Sequence, residues 1–258
     1  MSTIKTLSSF YFVERVTVSN RSIDFDEGGG ELQATLNTGS YTPTEYAAEW
    51  QRALRAAGTQ AYVVSFNRST RELTVSAPLA FDLLSLTGSR AGTGAWESAG
   101  FSILADHTGL NSYTSDDPCG DIYEPQYILS DYTAAKDSLI KESATVNETP
   151  AGIVQQISYG DGARIKMNIR VITNKTGLKN ENFFENVNGE DDARAFMAYL
   201  LGKNKVEFMP DKATPNAFEK VYLVRTAEDG TGREFELKNM KFPDFYETGN
   251  LVFRKVLA

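Results

Sequence analysis

A capped helix followed directly by a hairpin constrains the fold of this chain more than any other feature. Thr42 and Glu45 have the spacing of a capping box, and Pro43 stands at the first helical position, where its missing N–H costs nothing. Gly58 supplies a stop, so the sequence predicts a helix over residues 43–57. Its apolar residues recur with a 3.6-residue period and fall on one face: Tyr46, Ala47, Trp50, Ala53, Leu54 and Ala57.

Two short strand-like segments follow the helix, over residues 61–66 and 71–76, and four polar residues join them. This arrangement predicts a hairpin with a four-residue connection. Because Trp50 lies in the middle of the apolar helix face, we expect its ring to be buried against this hairpin.

Further strand candidates surround this unit in the first half of the chain. Residues 9–20, 21–25 and 31–37 are aromatic, β-branched or alternating, which favours strands. Residues 80–86 are mainly apolar, and their periodicity leaves a buried strand and a short helix both open. Residues 88–100 are rich in glycine and serine, so we expect a loop there.

The second half has one predicted helix, over residues 190–201, which begins with an acidic turn that suits the positive end of the helix dipole. Its apolar face comprises Phe196, Met197, Leu200 and Leu201. Strands are predicted over 152–159, 163–173, 205–209, 217–226, 234–241 and 251–256. The pattern predicts a β-rich α+β fold of two domains, each with antiparallel sheets flanked by one helix. We place these domains at residues 1–128 and 129–258.

Composition and charge exclude several classes of protein. With 258 residues and 41% hydrophobic residues, the chain can bury a substantial core. Its net charge of −8 repels phosphate, which argues against sequence-specific nucleic-acid binding. No apolar run approaches the roughly 18–20 residues that a membrane helix needs, so we expect no membrane insertion. The N-terminus lacks a signal-peptide core, which predicts synthesis in a cytoplasm.

The sequence offers little for catalysis or for binding a cofactor. His107 is the only histidine and Cys119 the only cysteine, and these two residues alone cannot build a zinc site. Gly92 and Gly94 are not part of a complete phosphate-binding fingerprint. We therefore predict no catalytic residue, no cofactor and no metal, and we expect assembly to proceed without the side chains of His107 and Cys119.

One acidic cluster invites a calcium interpretation. It surrounds a glycine loop, although Gly28 and Thr35 stand where an EF-hand loop has ligands. A solvated glycine loop is the favoured interpretation, with calcium binding as the alternative. The acidic residues are Asp24, Asp26, Glu27 and Glu31.

Two features keep a glycan function open. Carboxylate pairs for glycoside hydrolysis are available at Asp116–Asp117 or within residues 190–192. Trp96 and Tyr113, if exposed, would make a platform for a sugar ring, although aromatic residues at this density are more often part of a core.

The first half has a distinctive order of segments: 37–42, the helix with Leu54, 61–66, 73–76, 81–84, 95–97 with 100–101, and 112–116. In this order they resemble a module shared by virion proteins of tailed phages. The second half resembles tail or baseplate proteins of the tail-tube and distal-tail type. The segments that carry this second likeness are 205–211 (KVEFMPD), 218–221 (FEKV) and 247–254 (ETGNLVFR).

This resemblance implies a structural protein of the phage tail, at the distal tail or baseplate, rather than an enzyme. Its partners would be further copies of itself in a symmetric ring and other tail proteins of the tube, hub or baseplate, and its place would be the virion. The alternatives are a carbohydrate-binding adhesion module and, third, a glycan-hydrolysing enzyme. Candidate interface residues are Lys205, Phe208, Tyr222, Phe253 and Arg254.

Overall fold

A computed structural model describes residues 9–123, 127–130, 142–148, 154–161, 164–170, 190–202, 204–209, 218–225, 237–239, 246–248 and 251–255. The helices are α1 (Pro43–Ala57), α2 (Trp96–Ala99) and α3 (Glu190–Leu201), with a 3-10 turn at Ala91–Thr93. The strands of the first half are β1 (Ser9–Phe12), β2 (Ser22–Asp26), β3 (Glu31–Thr35), β4 (Val63–Phe66), β5 (Leu73–Leu83), β6 (His107–Thr114) and β7 (Asp121–Tyr123). Those that follow are β8 (Tyr127–Ser130), β9 (Glu142–Glu148), β10 (Val154–Asp161), β11 (Arg164–Arg170), β12 (Lys205–Met209), β13 (Glu219–Arg225), β14 (Lys238–Asn239), β15 (Tyr246–Glu247) and β16 (Leu251–Lys255).

Two larger antiparallel sheets dominate the fold, which confirms the predicted β-rich α+β class. The smaller of them has the strand order β3–β2–β5–β4, and β6 also pairs with β5. The other contains seven strands in the order β7–β1–β12–β13–β16–β11–β8. Below we call these the five-stranded and the seven-stranded sheet.

Helix α1 forms over the residues that the sequence predicts. Thr42 Oγ1 accepts a hydrogen bond from the Glu45 N–H at 3.4 Å, and Glu45 Oε2 accepts one from the Thr42 N–H at 3.1 Å. These two bonds satisfy donors that the first helical turn leaves unpaired. Gly58 ends the helix with ordinary backbone angles. A Cβ at this position would require the Glu27 carboxylate to shift and would pack tightly against the Phe25 ring.

The predicted hairpin is confirmed, with Val63 opposite Ser76 and Phe66 opposite Leu73. Strand β5 continues beyond it to Leu83, so the open alternative at residues 80–86 is decided in favour of a strand for its first four residues. The continuation pairs with β2 and β6, two partners that are remote in sequence and therefore invisible to periodicity.

Two predictions for the first half need correction. The predicted strand over residues 9–20 is regular only in β1, after which a single bridge joins Val16 to Gly39. The predicted loop at residues 88–100 contains the 3-10 turn and helix α2. Trp96 begins α2 and is 1% exposed, because the loop folds back over the core and buries the ring.

Helix α3 packs on one face of the seven-stranded sheet. Its residues Phe196, Met197 and Leu200 are buried as predicted, whereas Leu201 is half-buried at the edge of the same cluster. The predicted strands of the second half are confirmed in part, as β10, β11, β12, β13, β14 and β16. The remaining residues of those predicted ranges lie outside the described part of the chain.

The seven-stranded sheet is strongly curved. Its two outermost strands are β7, which ends at Tyr123, and β8, which begins at Tyr127. The four peptide units that join these two residues can span at most about 14 Å. In a flat sheet, seven strands would separate these edges by about 29 Å. The ring centroids of Phe10 and Phe253 also lie 5.9 Å apart across two intervening strands. The curl therefore gathers side chains from β1, β7, β11, β12, β13 and β16 around α3.

Strands β1 and β7 belong to the seven-stranded sheet although both precede residue 128. Strand β1 pairs with β12, with Ser9 opposite Met209, and also with β7. The five-stranded sheet is thus inserted, in sequence, between two strands of the other sheet. The division into domains at 1–128 and 129–258 stays a prediction about folding units.

Candidate interaction surfaces

The five candidate interface residues lie on opposite faces of the seven-stranded sheet. Phe208 and Phe253 face α3 and are 1% and 0% exposed, so in this conformation they belong to the core and present no surface to a partner. Lys205, Tyr222 and Arg254 are half-buried. Lys205 pairs with Tyr222, and Tyr222 with Arg254, so these three form a row across β12, β13 and β16. Their interface role stays a prediction.

The same face holds a buried carboxylate that sequence reasoning missed. Glu207 lies between Val206 and Phe208, and the alternation of a strand turns it away from α3. It is 0% exposed. Its Oε1 accepts a hydrogen bond from Thr44 Oγ1 at 2.6 Å, and its Oε2 accepts one from Arg68 Nε at 3.2 Å. Nothing local signals this contact, because Arg68 lies 139 residues away in the chain.

Arg68 ties this junction together. Its Nη2 donates to Thr44 Oγ1 at 2.7 Å, and its guanidinium carbon lies 3.6 Å from the centroid of the Phe218 ring. Thr44 stands in the first turn of α1, and Arg68 in the turn between β4 and β5. The chain's own first half therefore covers part of the sheet face opposite α3.

A second ion pair lies beside the first. Lys205 Nζ is 3.0 Å from Glu45 Oε2, and Lys220 Nζ is 3.6 Å from Glu45 Oε1. Burial alone would raise the pKa of Glu45, but the hydrogen bonds from the Thr42 N–H and from Lys205, with the two positive charges, hold it below its usual value. Glu45 is thus charged at neutral pH, and it serves both the helix cap and the junction.

His107 and Cys119 have separate surroundings. His107 Nε2 lies 2.9 Å from Asp116 Oδ2, and its ring packs edge-on against Phe101 and Tyr113. Cys119 is 1% exposed and belongs to the core under the five-stranded sheet. Burial raises the pKa of the Cys119 thiol to about 12, so it is not a thiolate at neutral pH.

We expect the Cys119 thiol to be inert in the folded protein. A neutral, buried thiol reacts slowly with a disulfide reagent such as DTNB, whereas the unfolded chain exposes it. The measurement is the release of thionitrobenzoate from native and from urea-unfolded protein. Rapid reaction in the native state would contradict the burial, and loss of assembly in Cys119→Ser or His107→Ala would reopen a chemical role for these residues.

The four acidic residues around the glycine loop point to different partners. Asp24 is 1% exposed and pairs with Arg90 at 2.9 Å. Asp26 Oδ1 accepts hydrogen bonds from the N–H groups of residues 28–30, which closes the turn. Glu27 accepts from Thr59, Gln60 and Tyr62, whereas Glu31 accepts from Ser89. Each carboxylate thus has a structural partner, and calcium binding at this loop stays an untested alternative.

The sugar platform is not formed by the residues considered for it. Trp96 and Tyr113 are 1% and 6% exposed, so neither ring presents a face to solvent. Asp116, a candidate carboxylate, accepts a hydrogen bond from the Ser102 N–H and contacts His107.

None of the described helices is long and apolar enough to cross a membrane.

Strands β9 and β10 form a sheet of their own. They are seven and eight residues long, and their pairs run from Val154 opposite Glu148 to Asp161 opposite Glu142. Among the described residues, no third strand joins this hairpin. Both of its outer edges therefore lack a hydrogen-bonding strand within the described part of the chain.

Comparisons with known proteins give no family. No family model and no curated protein matches the chain. Among solved structures it is similar to the crystal structure of the mavirus penton protein, with 9% sequence identity and a TM-score of 0.28 over 96% of this chain and 83% of that one. A TM-score this low does not establish a shared fold, so this similarity has no weight for the function.

Proposed function

We propose that this chain is a structural protein of a tailed-phage virion and that it forms a symmetric ring at the distal tail or baseplate. The observation that carries the proposal is the separate β9–β10 hairpin. An isolated two-stranded hairpin is only marginally stable in water, and its unpaired edges invite pairing with another chain. In a closed ring of identical subunits each hairpin meets the next, so that no open edge remains.

The number of strands in the second half suggests a different reason for a ring, which does not hold in the structure. Strands β12, β13 and β16 supply more sheet than α3 covers, which predicts free edges and faces. In the structure all three are interior strands with both edges paired, and α1 with the β4–β5 turn covers part of their second face. The hairpin lies in the same half of the chain, so the ring is still expected to use contacts of that half.

The resemblance of segments in both halves to virion and tail proteins supports the same assignment. It names the partners as other tail proteins and the location as the virion. The alternatives predict different behaviour: an adhesion module is retained on host-wall glycan as a monomer, and a hydrolase releases sugar fragments from it.

Imaging the purified particle tests the proposal. We expect the chain as a closed ring in which neighbouring copies touch through β9 and β10. A monomeric isolated chain would not contradict the proposal, because a ring can require an adjoining tail component to form. Copies that occur singly, or that touch only through the five-stranded sheet, would contradict the ring and favour the adhesion module.

A further inference from the structure

The exposed large apolar side chains are concentrated in one region. Of the seven among the described residues, only Val18 lies apart from the β4–β5–β6 region. The other six lie on these strands or in the loops at their end, and we call them the apolar surface. They are Val63, Leu79, Leu86, Ile103, Leu104 and Leu110.

Strand pairing places these six residues on three neighbouring strands or on the connection between β5 and β6. Leu110 pairs with Phe81, and His107 pairs with Leu83, so β5 and β6 run side by side towards two loops. The loop after β5 carries Leu86, and the loop before β6 carries Ile103 and Leu104. At about 3.4 Å per residue, Leu110 lies about 10 Å along β6 from His107, where the strand meets these loops.

Hydrogen bonds hold the two loops together. Ser85 is 1% exposed, and its hydroxyl lies 2.7 Å from the Ser102 carbonyl and 2.9 Å from that of Ala105. Asp106 Oδ1 accepts from the Leu86 and Thr87 N–H groups at 2.8 and 3.1 Å. The loops are therefore fixed in shape while Leu104 is 84% exposed and Leu86 is 52% exposed.

A hydrogen bond also fixes the middle of the paired strands β5 and β6. Strand β5 bulges between Ser76 and Phe81, where the pairing with β6 shifts register. Gln60 holds the bulge, because its Oε1 accepts from the Leu79 N–H at 2.8 Å. Leu79 is 69% exposed on this bulge. Clustered, preorganised apolar side chains are typical of protein interaction sites, because binding then costs little ordering.

The charge of this region selects the partner. Residues 63–117, from β4 to the end of this region, contain no lysine and three arginines against four aspartates and two glutamates, so their net charge is 3 − 6 = −3. Arg90 is already paired with the buried Asp24. Burial raises the pKa of Asp106, but hydrogen bonds from Thr87 and the Leu86 N–H outweigh it and leave the pKa below its usual value. The apolar surface is thus bordered by the ionised carboxylate of Asp106, in a region of net negative charge.

We propose that the apolar surface docks on a different protein of the same particle, at an apolar site bordered by lysine or arginine. This inference rests on the proposed virion role. A second copy of the same surface would bring −3 against −3, and an anionic membrane or a nucleic acid would also repel it. A basic protein surface complements it.

Photo-crosslinking in the particle tests this docking. Leu104→benzoylphenylalanine places the crosslinker at the most exposed leucine of the surface, and Val18→benzoylphenylalanine is the matched control at an exposed apolar residue elsewhere. After irradiation, mass spectrometry identifies the adduct. We expect adducts from position 104 with another particle protein, at a segment where lysine or arginine flanks apolar residues, and no such adduct from position 18.

A substitution gives a second readout. Leu104→Asp should lower incorporation into particles by roughly tenfold or more, whereas Val18→Asp should not. Because Leu104 is 84% exposed, the variant should keep the thermal unfolding midpoint of the parent chain, which separates lost docking from misfolding. Unchanged incorporation of Leu104→Asp would overturn the proposal.

The crosslinking outcomes are distinguishable. An adduct with a second copy of this chain, with an acidic protein, or no adduct from a chain that is present in the particle would overturn the docking alone. Absence of the chain from purified particles would overturn the virion role and this inference with it.

Discussion

Replacing Trp50 by alanine is expected to lower the free energy of unfolding by about 3–5 kcal/mol. The ring is 0% exposed and packs edge-on against Tyr46 and Trp96, with centroids 6.2 and 5.7 Å away. Phe101 lies 5.8 Å away on another side. Truncation leaves a cavity among rings that are fixed by their own neighbours, so the site cannot collapse to fill it.

Urea denaturation followed by circular dichroism measures this loss. Val63→Ala is the matched control, because Val63 is 50% exposed on β4 and its truncation creates no cavity. A Trp96→Phe variant isolates the Trp50 fluorescence, which we expect to shift to longer wavelength only on unfolding. Emission typical of a solvated indole in the native variant would contradict the buried position.

Arg68→Met is expected to lower the free energy of unfolding by about 3–5 kcal/mol, since it leaves the Glu207 carboxylate without its positive partner. Glu207 is 0% exposed, and the Arg68 side chain is 17% exposed. When one partner of a buried ion pair is removed, the other charge remains buried without a partner, in a medium that solvates it poorly. The loss acts at the junction between the two sheets.

A double-mutant cycle separates the pair from its surroundings. Arg68→Met combined with Glu207→Met should recover much of the loss, because no unpaired charge then remains buried. Lys220→Met is the control at the same junction: its ammonium and its partner Glu45 are 30% and 25% exposed, so we expect a loss of about 0–1 kcal/mol. Equal losses in Arg68→Met and Lys220→Met would show that burial of Glu207 does not govern this junction.

The separate hairpin and the apolar surface differ in what makes them recognisable. The β9–β10 hairpin becomes informative only when its lack of a third strand is seen among the described strands. The apolar surface is recognised by the exposed fraction of its side chains. The identity of a leucine in the sequence does not indicate whether it lies in the core or in solvent. Leu83 and Leu104 illustrate this, at 0% and 84% exposed.

Local signals were enough to predict the elements that short-range forces build. The capping box at Thr42 and Glu45 and the 3.6-residue period behind it determine α1, because every group involved lies within one or two turns. The acidic start and apolar face of α3 act over the same range, as does the alternation of the β4–β5 hairpin.

The sequence alone thus determined the main helices, several strands and the β-rich class. The tertiary structure decided which strands share a sheet and which face each side chain takes. It pairs β1, for example, with a strand some two hundred residues away in the chain. It buried Phe208, Phe253 and Trp96 and paired Glu207 with Arg68. The physical reason is that burial and charge pairing depend on contacts between residues distant in the chain, which no local period encodes.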